Sequence, residues 1–302
     1  MFNIFKKKKI IIVHNGGFHA DDVFACAALS ILLKDNIKIF RSRDQRIIEK
    51  GDIIVDVGGI YNESLNKFDH HQSGGAGARE NGIEYASIGL VWKKFGAEIA
   101  GSIEAARKID QILIQAVDAG DNGINIANYI FPDVFYFTAS NMIGSFNPTS
   151  LESDDDIDNI FVKAVSFAKE ILLRQIKIAN DRLKIETIIK ATYEEASDKR
   201  LIIIDTTARR IELMETLQKM KEPLFVVYPN GDGRWRATGI LVEMEAYAIR
   251  KNFPVKWAGL RGEELVKASG VIDAEFCHRS LFTTSAKSKE GAIKLAQIAL
   301  QG

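Results

Sequence analysis

Cysteine is nearly missing from this chain: Cys26 and Cys277 are the two in 302 residues, far apart and in no CxxC spacing. A disulfide framework is therefore excluded. With no secretory signal, the two thiols are expected to be free, in a reducing compartment, with the cytoplasm as default. Net charge is missing too, because Lys plus Arg and Asp plus Glu stand at 40 each. That balance argues against a protein that coats nucleic acid through bulk charge, and it leaves room for a local basic channel. No run approaches the ~20 apolar residues of a membrane helix. The stretch Ile10-Ile11-Ile12-Val13 behind Lys6-Lys7-Lys8-Lys9 is too short for the apolar core of a signal peptide, so no membrane is expected. There is no internal repeat and no low-complexity tract. Histidine is scarce as well, but of the five, His14, His19, His70 and His71 fall in one stretch among aspartates.

What is present is an ordinary globular composition, 46% apolar, and a length that suits two domains better than one. Residues 10–13 form a continuous aliphatic run, the pattern of a parallel strand buried on both faces. Asn15-Gly16-Gly17 releases the chain, and Asp21-Asp22 can cap a helix whose apolar face carries Val23, Ala27, Leu29, Ile31 and Leu33. Strands follow at 37–40 and 53–55, with a short helical turn at 43–50 between them. Strand, helix and strand with short connections imply a parallel α/β sheet. Gly74-Gly75-Ala76-Gly77-Ala78 reads as a loop, and residues 86–95 and 103–117 as helices. Asn147-Pro148-Thr149-Ser150 and Asp154-Asp155-Asp156 mark a break. Helical spacing from 157 to about 196 predicts one or two long connecting helices. A second α/β pattern starts at Leu201-Ile202-Ile203-Ile204, with a hairpin signal at Asn230-Gly231, a strand near Val271-Ile272 and a helix over 291–300. The expected domains are 1–148, carrying the histidines, and 149–302, a helical connector followed by a smaller α/β domain.

In parallel sheets functional groups gather where strands end at their carboxyl edge. His14 directly follows the first strand and Asp56 the third, so both project from one edge. His14, His19, Asp21, Asp56, His70 and Asp118 supply the imidazoles and carboxylates of a two-ion site, with Asp56 the natural bridging ligand. Taken singly, each has a plainer reading: a surface histidine, a helix cap, a turn carboxylate. Their joint placement on one edge weighs against coincidence. Asp22 remains an alternative to Asp21, and Asp121 to Asp118.

His14…His19-Ala20-Asp21, Val55-Asp56-Val57-Gly58-Gly59, Phe68-Asp69-His70-His71-Gln72 and Val117-Asp118-Ala119-Gly120-Asp121-Asn122-Gly123 together resemble the melanocyte-proliferating-gene family. That family is also catalogued as metal-dependent protein hydrolases and looks like a branch of the DHH phosphoesterase superfamily. The resemblance extends over nearly the whole chain, with later echoes such as Asn147-Pro148, Trp235-Arg236 and Trp257-Ala258-Gly259-Leu260-Arg261. It implies a catalytic N-terminal domain holding two divalent ions, Mn²⁺ preferred and Mg²⁺ as substitute, and a substrate-gripping C-terminal domain. It further implies that His14, His19 and Asp56 hold one ion, and Asp21, Asp56, His70 and Asp118 the other. Asp69 would then orient His70, and His71 would face the substrate phosphate. The superfamily commonly has aspartate where this chain has His19, and the first motif here is one residue longer.

In the C-terminal half, Cys277-His278-Arg279 ahead of Phe282-Thr283-Thr284-Ser285 and a helix start offers a phosphate grip, an ordinary polar capping loop being the rival reading. Arg236 and Arg261 are candidate backbone contacts. The resulting expectation is a metal-dependent phosphodiesterase, a 3′-to-5′ exonuclease on RNA or short oligonucleotides. The rivals are hydrolysis of a small phosphate compound, such as pyrophosphate or a cyclic dinucleotide, and a non-catalytic metal- or nucleotide-binding regulatory module. The sequence leaves open RNA against DNA, the native metal and the oligomeric state, a homodimer included.

Overall fold

The aliphatic run at the N-terminus becomes the centre of the first sheet. β1 (Lys9–Val13) has Ile11, Ile12 and Val13 buried and pairs in parallel with β2 (Ile37–Arg41) on one side and β3 (Ile53–Val55) on the other. The computed structural model describes residues 7–128, 130–153, 155–244 and 248–302. Phe5 and Lys6 of the basic start and Asp154 of the acidic triplet lie outside the described residues. The chain divides into two compact units, Met1–Asn180 and Asp181–Gly302.

In the first unit α1 (Ala20–Leu32) leads from β1 to β2, and the short α2 (Gln45–Ile48) from β2 to β3. α1 is buried continuously from Ala20 to Ser30, the pattern of a helix enclosed on all sides, and it packs on α3 (Ser87–Ala100). Two strands of two residues were not legible beforehand: β4 (Tyr61–Asn62) and β5 (Lys67–Phe68). β5 continues the parallel set beside β3, and β4 closes the edge antiparallel, giving the order β2-β1-β3-β5-β4. The predicted helix at 103–117 is interrupted: α4 (Ile103–Ile109) and α5 (Gln115–Asp121) are joined by a π-helical turn, Asp110–Ile114. α6 (Ala139–Gly144) follows, then α7 (Ile157–Glu195), a single helix where one or two were expected.

The second unit is a five-stranded sheet in the order β6-β7-β8-β10-β9, with β6 (Leu201–Ile203), β7 (Phe225–Pro229), β8 (Trp235–Gly239), β9 (Ala274–Cys277) and β10 (Thr283–Ala286). β6 and β7 are parallel; the remaining pairs are antiparallel, including the β7–β8 hairpin that Asn230-Gly231 signalled. Two further helices are α8 (Arg210–Leu217) and α9 (Gly262–Ser269), and α10 (Lys289–Gln301) ends the chain. One sheet face buries Phe225, Val227, Ala237 and Ala286 under Leu295 and Ala296 of α10; the other packs Ile202, Val226 and Tyr228 against Leu213 and Met214 of α8. The strand expected near Val271-Ile272 is β9, which starts just beyond it: Val271 is buried, Ile272 is turned out into solvent, and pairing begins at Ala274. The hydroxyl-rich stretch is not a loop: Thr283, Thr284, Ser285 and Ala286 are all buried in β10. Both cysteines are free and buried. Among the described residues no helix is long and apolar enough to cross a membrane.

Candidate metal centre

Three consecutive parallel neighbours, β1, β3 and β5, deliver their next residues to one edge: His14, Asp56, and the run Asp69-His70-His71. β5 explains why the Asp-His-His segment, remote in sequence, joins the other two. α1 adds Asp21 and Asp22 in its first turn, and α5 ends on Asp121. The backbone at Asp56 is left-handed, φ 52°, a conformation unusual for a residue with a side chain and characteristic of strained functional positions. The loop carrying His19 is clamped by Asn147, whose Oδ1 accepts from the Phe18 N–H at 2.7 Å and whose Nδ2 donates to the Phe18 carbonyl at 3.1 Å.

Nitrogens and carboxylate oxygens converge at the centre of this edge. His14 Nε2 lies 3.0 Å from Asp22 Oδ2 and 3.2 Å from Asp56 Oδ2. Its Nδ1 sits 3.2 Å from the Asn15 carbonyl, which can only accept, so in the neutral ring that nitrogen holds the proton and Nε2 keeps the lone pair. His70 Nε2 lies 3.0 Å from Asp121 Oδ2, 3.5 Å from Asp56 Oδ1 and 3.9 Å from Asp21 Oδ2. His19 Nδ1 is 3.7 Å from Asp121 Oδ1. His14 Nε2, His70 Nε2, Asp21 Oδ1 and Asp22 Oδ2 are buried and find no hydrogen bond of acceptable geometry. Three triads bring one ligand atom apiece within 4.8 Å of one another: His14/His19/Asp56, Asp56/His70/His71 and His19/Asp21/Asp121. Orphaned lone pairs facing each other in a buried pocket are a donor set for a cation.

Protonation tells the same story. Burial alone would lower the His14 imidazole, but the adjoining carboxylates of Asp22 and Asp56 carry it up to about 10. His70 is likewise opposed by burial and lifted by Asp121 and Asp56 to about 11. Burial raises Asp21 well above the carboxylate range, and the charges of Asp56, Asp121 and Asp22 push it further; burial raises Asp22 too. Asp56 goes the other way, because the adjoining imidazoles of His14 and His70 overcome its burial. Protons thus occupy positions where the carboxylates call for positive charge.

Not every candidate falls where the sequence suggested. Asp118 is fully buried on the same helix as Asp121, but it pairs with Arg79 Nη1 at 2.7 Å and accepts from the Gly89 N–H at 3.0 Å. Asp69 holds His71 rather than His70: its Oδ1 receives the His71 N–H at 3.0 Å and faces His71 Nδ1 at 2.7 Å, while Oδ2 receives the Gly59 N–H at 2.6 Å. His71 is exposed, its ring beside that of His70 at 4.3 Å between centroids. Ser87 went unnoticed, since a serine opening an apolar helix looks like any helix start. Its hydroxyl donates to Asp56 Oδ1 at 3.1 Å and its N–H to Asp21 Oδ2 at 3.3 Å.

In the second unit β8, β10 and β9 carry Arg236, Ser285 and Phe276 in register, and an isolated bridge adds Arg261 beside Phe276. Residues in register project from the same sheet face, so cation, hydroxyl, ring and cation form a row. The Arg261 guanidinium lies 4.6 Å over the Phe276 ring, and a cavity of about 250 Å³ includes Arg236, Arg261, Phe276, His278 and Ser285 in its wall. Arg279 is exposed in the β9–β10 turn and does not line that cavity.

Against known sequences, the family model MYG1_exonuc, described as "Uncharacterised protein family (UPF0160)", matches residues 10–300. A protein of Dictyostelium discoideum named "MYG1 protein" is 30% identical over 95% of this chain and 94% of its own length. A Chlamydia pneumoniae protein, "MYG1 protein//CPj0489/CpB0509", is 31% identical over 95% of each chain. A Rattus norvegicus protein named "MYG1 exonuclease" is 30% identical over 95% of this chain and 83% of its own.

Proposed function

The chain belongs to the MYG1_exonuc (UPF0160) family, and on that premise we propose that it is a divalent-metal-dependent phosphodiesterase, a 3′-to-5′ exonuclease on RNA or short oligonucleotides. The observation that carries the reading is the convergence of orphaned imidazole and carboxylate atoms at the carboxyl edge of three parallel strands. The exonuclease name of relatives such as the Rattus norvegicus protein supports the reaction class.

His14, His19, Asp56, Asp21, Asp22, His70 and Asp121 would hold two ions. Asp56 belongs to two of the three triads and has two oxygens to share, which supports a bridged pair. Asp121 takes the part first given to Asp118, whose charge is already matched by Arg79. Imidazoles among carboxylates favour Mn²⁺ over a purely oxygen-liking ion, with Mg²⁺ as substitute. When bound, such ions acidify water and neutralise charge on a phosphodiester undergoing in-line displacement.

The chain's own groups do the positioning. Asp69, fixed by two backbone N–H groups, accepts from His71 Nδ1 and turns Nε2 outward, where an imidazolium ring would donate to a phosphate oxygen as charge builds. Ser87 holds Asp56 and Asp21 in place from the N-terminus of α3. Arg236, Arg261 and His278 of the second unit, with Arg279 on the adjoining turn, would contact substrate phosphates, while Phe276 offers a face on which a base can stack.

The test is hydrolysis of 5′-labelled single-stranded RNA with Mn²⁺, run beside Asp56→Ala and an EDTA control. A ladder shortening from the 3′ end, absent from both controls, is the expected result. Intact RNA with consumption of pyrophosphate or a cyclic dinucleotide would keep the site and overturn the substrate. Ion binding without turnover of any of these would leave a regulatory module.

A further inference from the structure

Between α3 and the segment formed by α4 and the π-helical turn lies a cavity of about 340 Å³, and none of the His/Asp cluster residues lines it. That volume falls within the range of small-molecule sites. Tyr85 and Trp92 give it aromatic walls, and the small side chains of Ala97 and Ala106 leave the groove between the helices open. The Trp92 indole N–H is already spent on the Ala106 carbonyl at 3.1 Å, so the ring offers the cavity only apolar surface.

Charge in this cavity is unbalanced. Arg79, Lys93 and Arg107 line it together with a single carboxylate among the described residues, Asp110. Asp110 is fully engaged: Arg79 donates to it through Nη2 at 2.7 Å and Nε at 3.2 Å, and Gln115 through Nε2 at 2.7 Å. Arg79 is therefore a fixed wall, pinned between Asp110 and Asp118 and lying 4.3 Å over the Tyr85 ring. Lys93 lies 5.0 Å over the same ring, and neither Lys93 nor Arg107 has a carboxylate partner among the described residues. Two unpaired cations at the rim of an aromatic-walled groove suit an anion that carries a flat group.

We propose that this cavity is a second ligand site, taking an organic phosphate monoester such as a nucleoside 5′-monophosphate, with the phosphate between Lys93 and Arg107 and the flat group along Tyr85 and Trp92. The site stands whether or not the metal cluster hydrolyses phosphodiesters.

Calorimetric titration of the full chain in EDTA with AMP, adenosine and inorganic phosphate tests it, beside the double variant Lys93→Glu/Arg107→Glu. Both positions are exposed, so the variant is expected to retain its circular dichroism spectrum and melting curve. AMP should bind the parent, while adenosine and inorganic phosphate should each bind about tenfold more weakly or worse. The double variant should lose about tenfold or more in AMP affinity. No AMP binding, or equal binding by parent and variant, would overturn the site. Inorganic phosphate binding as tightly as AMP would overturn the organic ligand.

Discussion

Asp118 and Asp121 lie one helical turn apart on α5 and have different partners, which sets their chemistry apart. Asp121 faces His70, while Asp118 is enclosed against Arg79 and the Gly89 N–H. Burial pushes the Asp118 carboxyl up to about 7, and Arg79 is what holds it from rising further. Its folded value lies above the unfolded one, so proton uptake favours the native state. The stability it contributes is whole below the unfolded value of 3.8 and is lost as pH rises through about 7. Removing Arg79 strands the ionised form. Arg79→Met is therefore expected to cost roughly 3–5 kcal/mol in urea unfolding at pH 8 and clearly less at pH 5, where the carboxyl takes a proton instead. A loss independent of pH would refute the pairing as its cause. Sequence alone did not separate these two aspartates, because partner choice depends on Arg79, 39 positions before Asp118. Asp69 teaches the same lesson: adjacency to both His70 and His71 says nothing about which imidazole it holds.

At the scale of elements, α3 does two jobs that one sequence position makes compatible. Its N-terminus binds Asp56 and Asp21 through Ser87, and two residues later it presses its backbone onto Asp118 at Gly89. A Cβ at Gly89 would stand 1.9 Å from Asp118 Oδ2, far inside contact distance. Gly89→Ala therefore forces the helix away from the carboxylate, at a cost of about 1–3 kcal/mol despite alanine's better helix propensity. Thermal melting checks this, and a stabilised variant would sink it. The elements legible beforehand are those with strong local patterns: β1, β2 and β3 from β-branched runs, α1 and α7 from helical spacing, and the β7–β8 hairpin from Asn230-Gly231. β4 and β5 were not, because two-residue strands carry no periodicity, and pairing with β3 alone creates β5. β10 was hidden by its threonines and serine, whose hydroxyls the fold satisfies internally: Thr284 donates to the Phe276 carbonyl at 2.7 Å, and Thr283 lies 2.8 Å from the Thr238 hydroxyl. The edge shared by His14 and Asp56 could be read from β1 and β3, but the arrival of Asp69-His70-His71 there required β5.

At the scale of the whole molecule, the cluster is a cross-link within one unit. Its groups come from the ends of β1, β3 and β5, from the first turn of α1 and from the end of α5, so an ion held there ties together sequence from His14 to Asp121. An ion that binds only the folded form stabilises it by mass action, about 2.7 kcal/mol at a hundred times Kd. All the groups of this cluster belong to Met1–Asn180, and the core of the second unit, built on Phe225, Val227, Ala237 and Leu295, contributes none. Hydrogen exchange with Mn²⁺ should therefore slow amides of β1, β3 and α1, EDTA should reverse the effect, and amides of β7, β8 and β10 should be unchanged. Protons must leave as the ion enters. His14 and His70, held at about 10 and about 11, are charged at neutral pH, and a ligating imidazole is not. Calorimetry in buffers of differing ionisation enthalpy should then register release of at least two protons per molecule, and apparent affinity should fall as pH is lowered. Equal protection of both units would place the ion outside this cluster. Binding without proton release would show that His14 and His70 are not the nitrogens it uses.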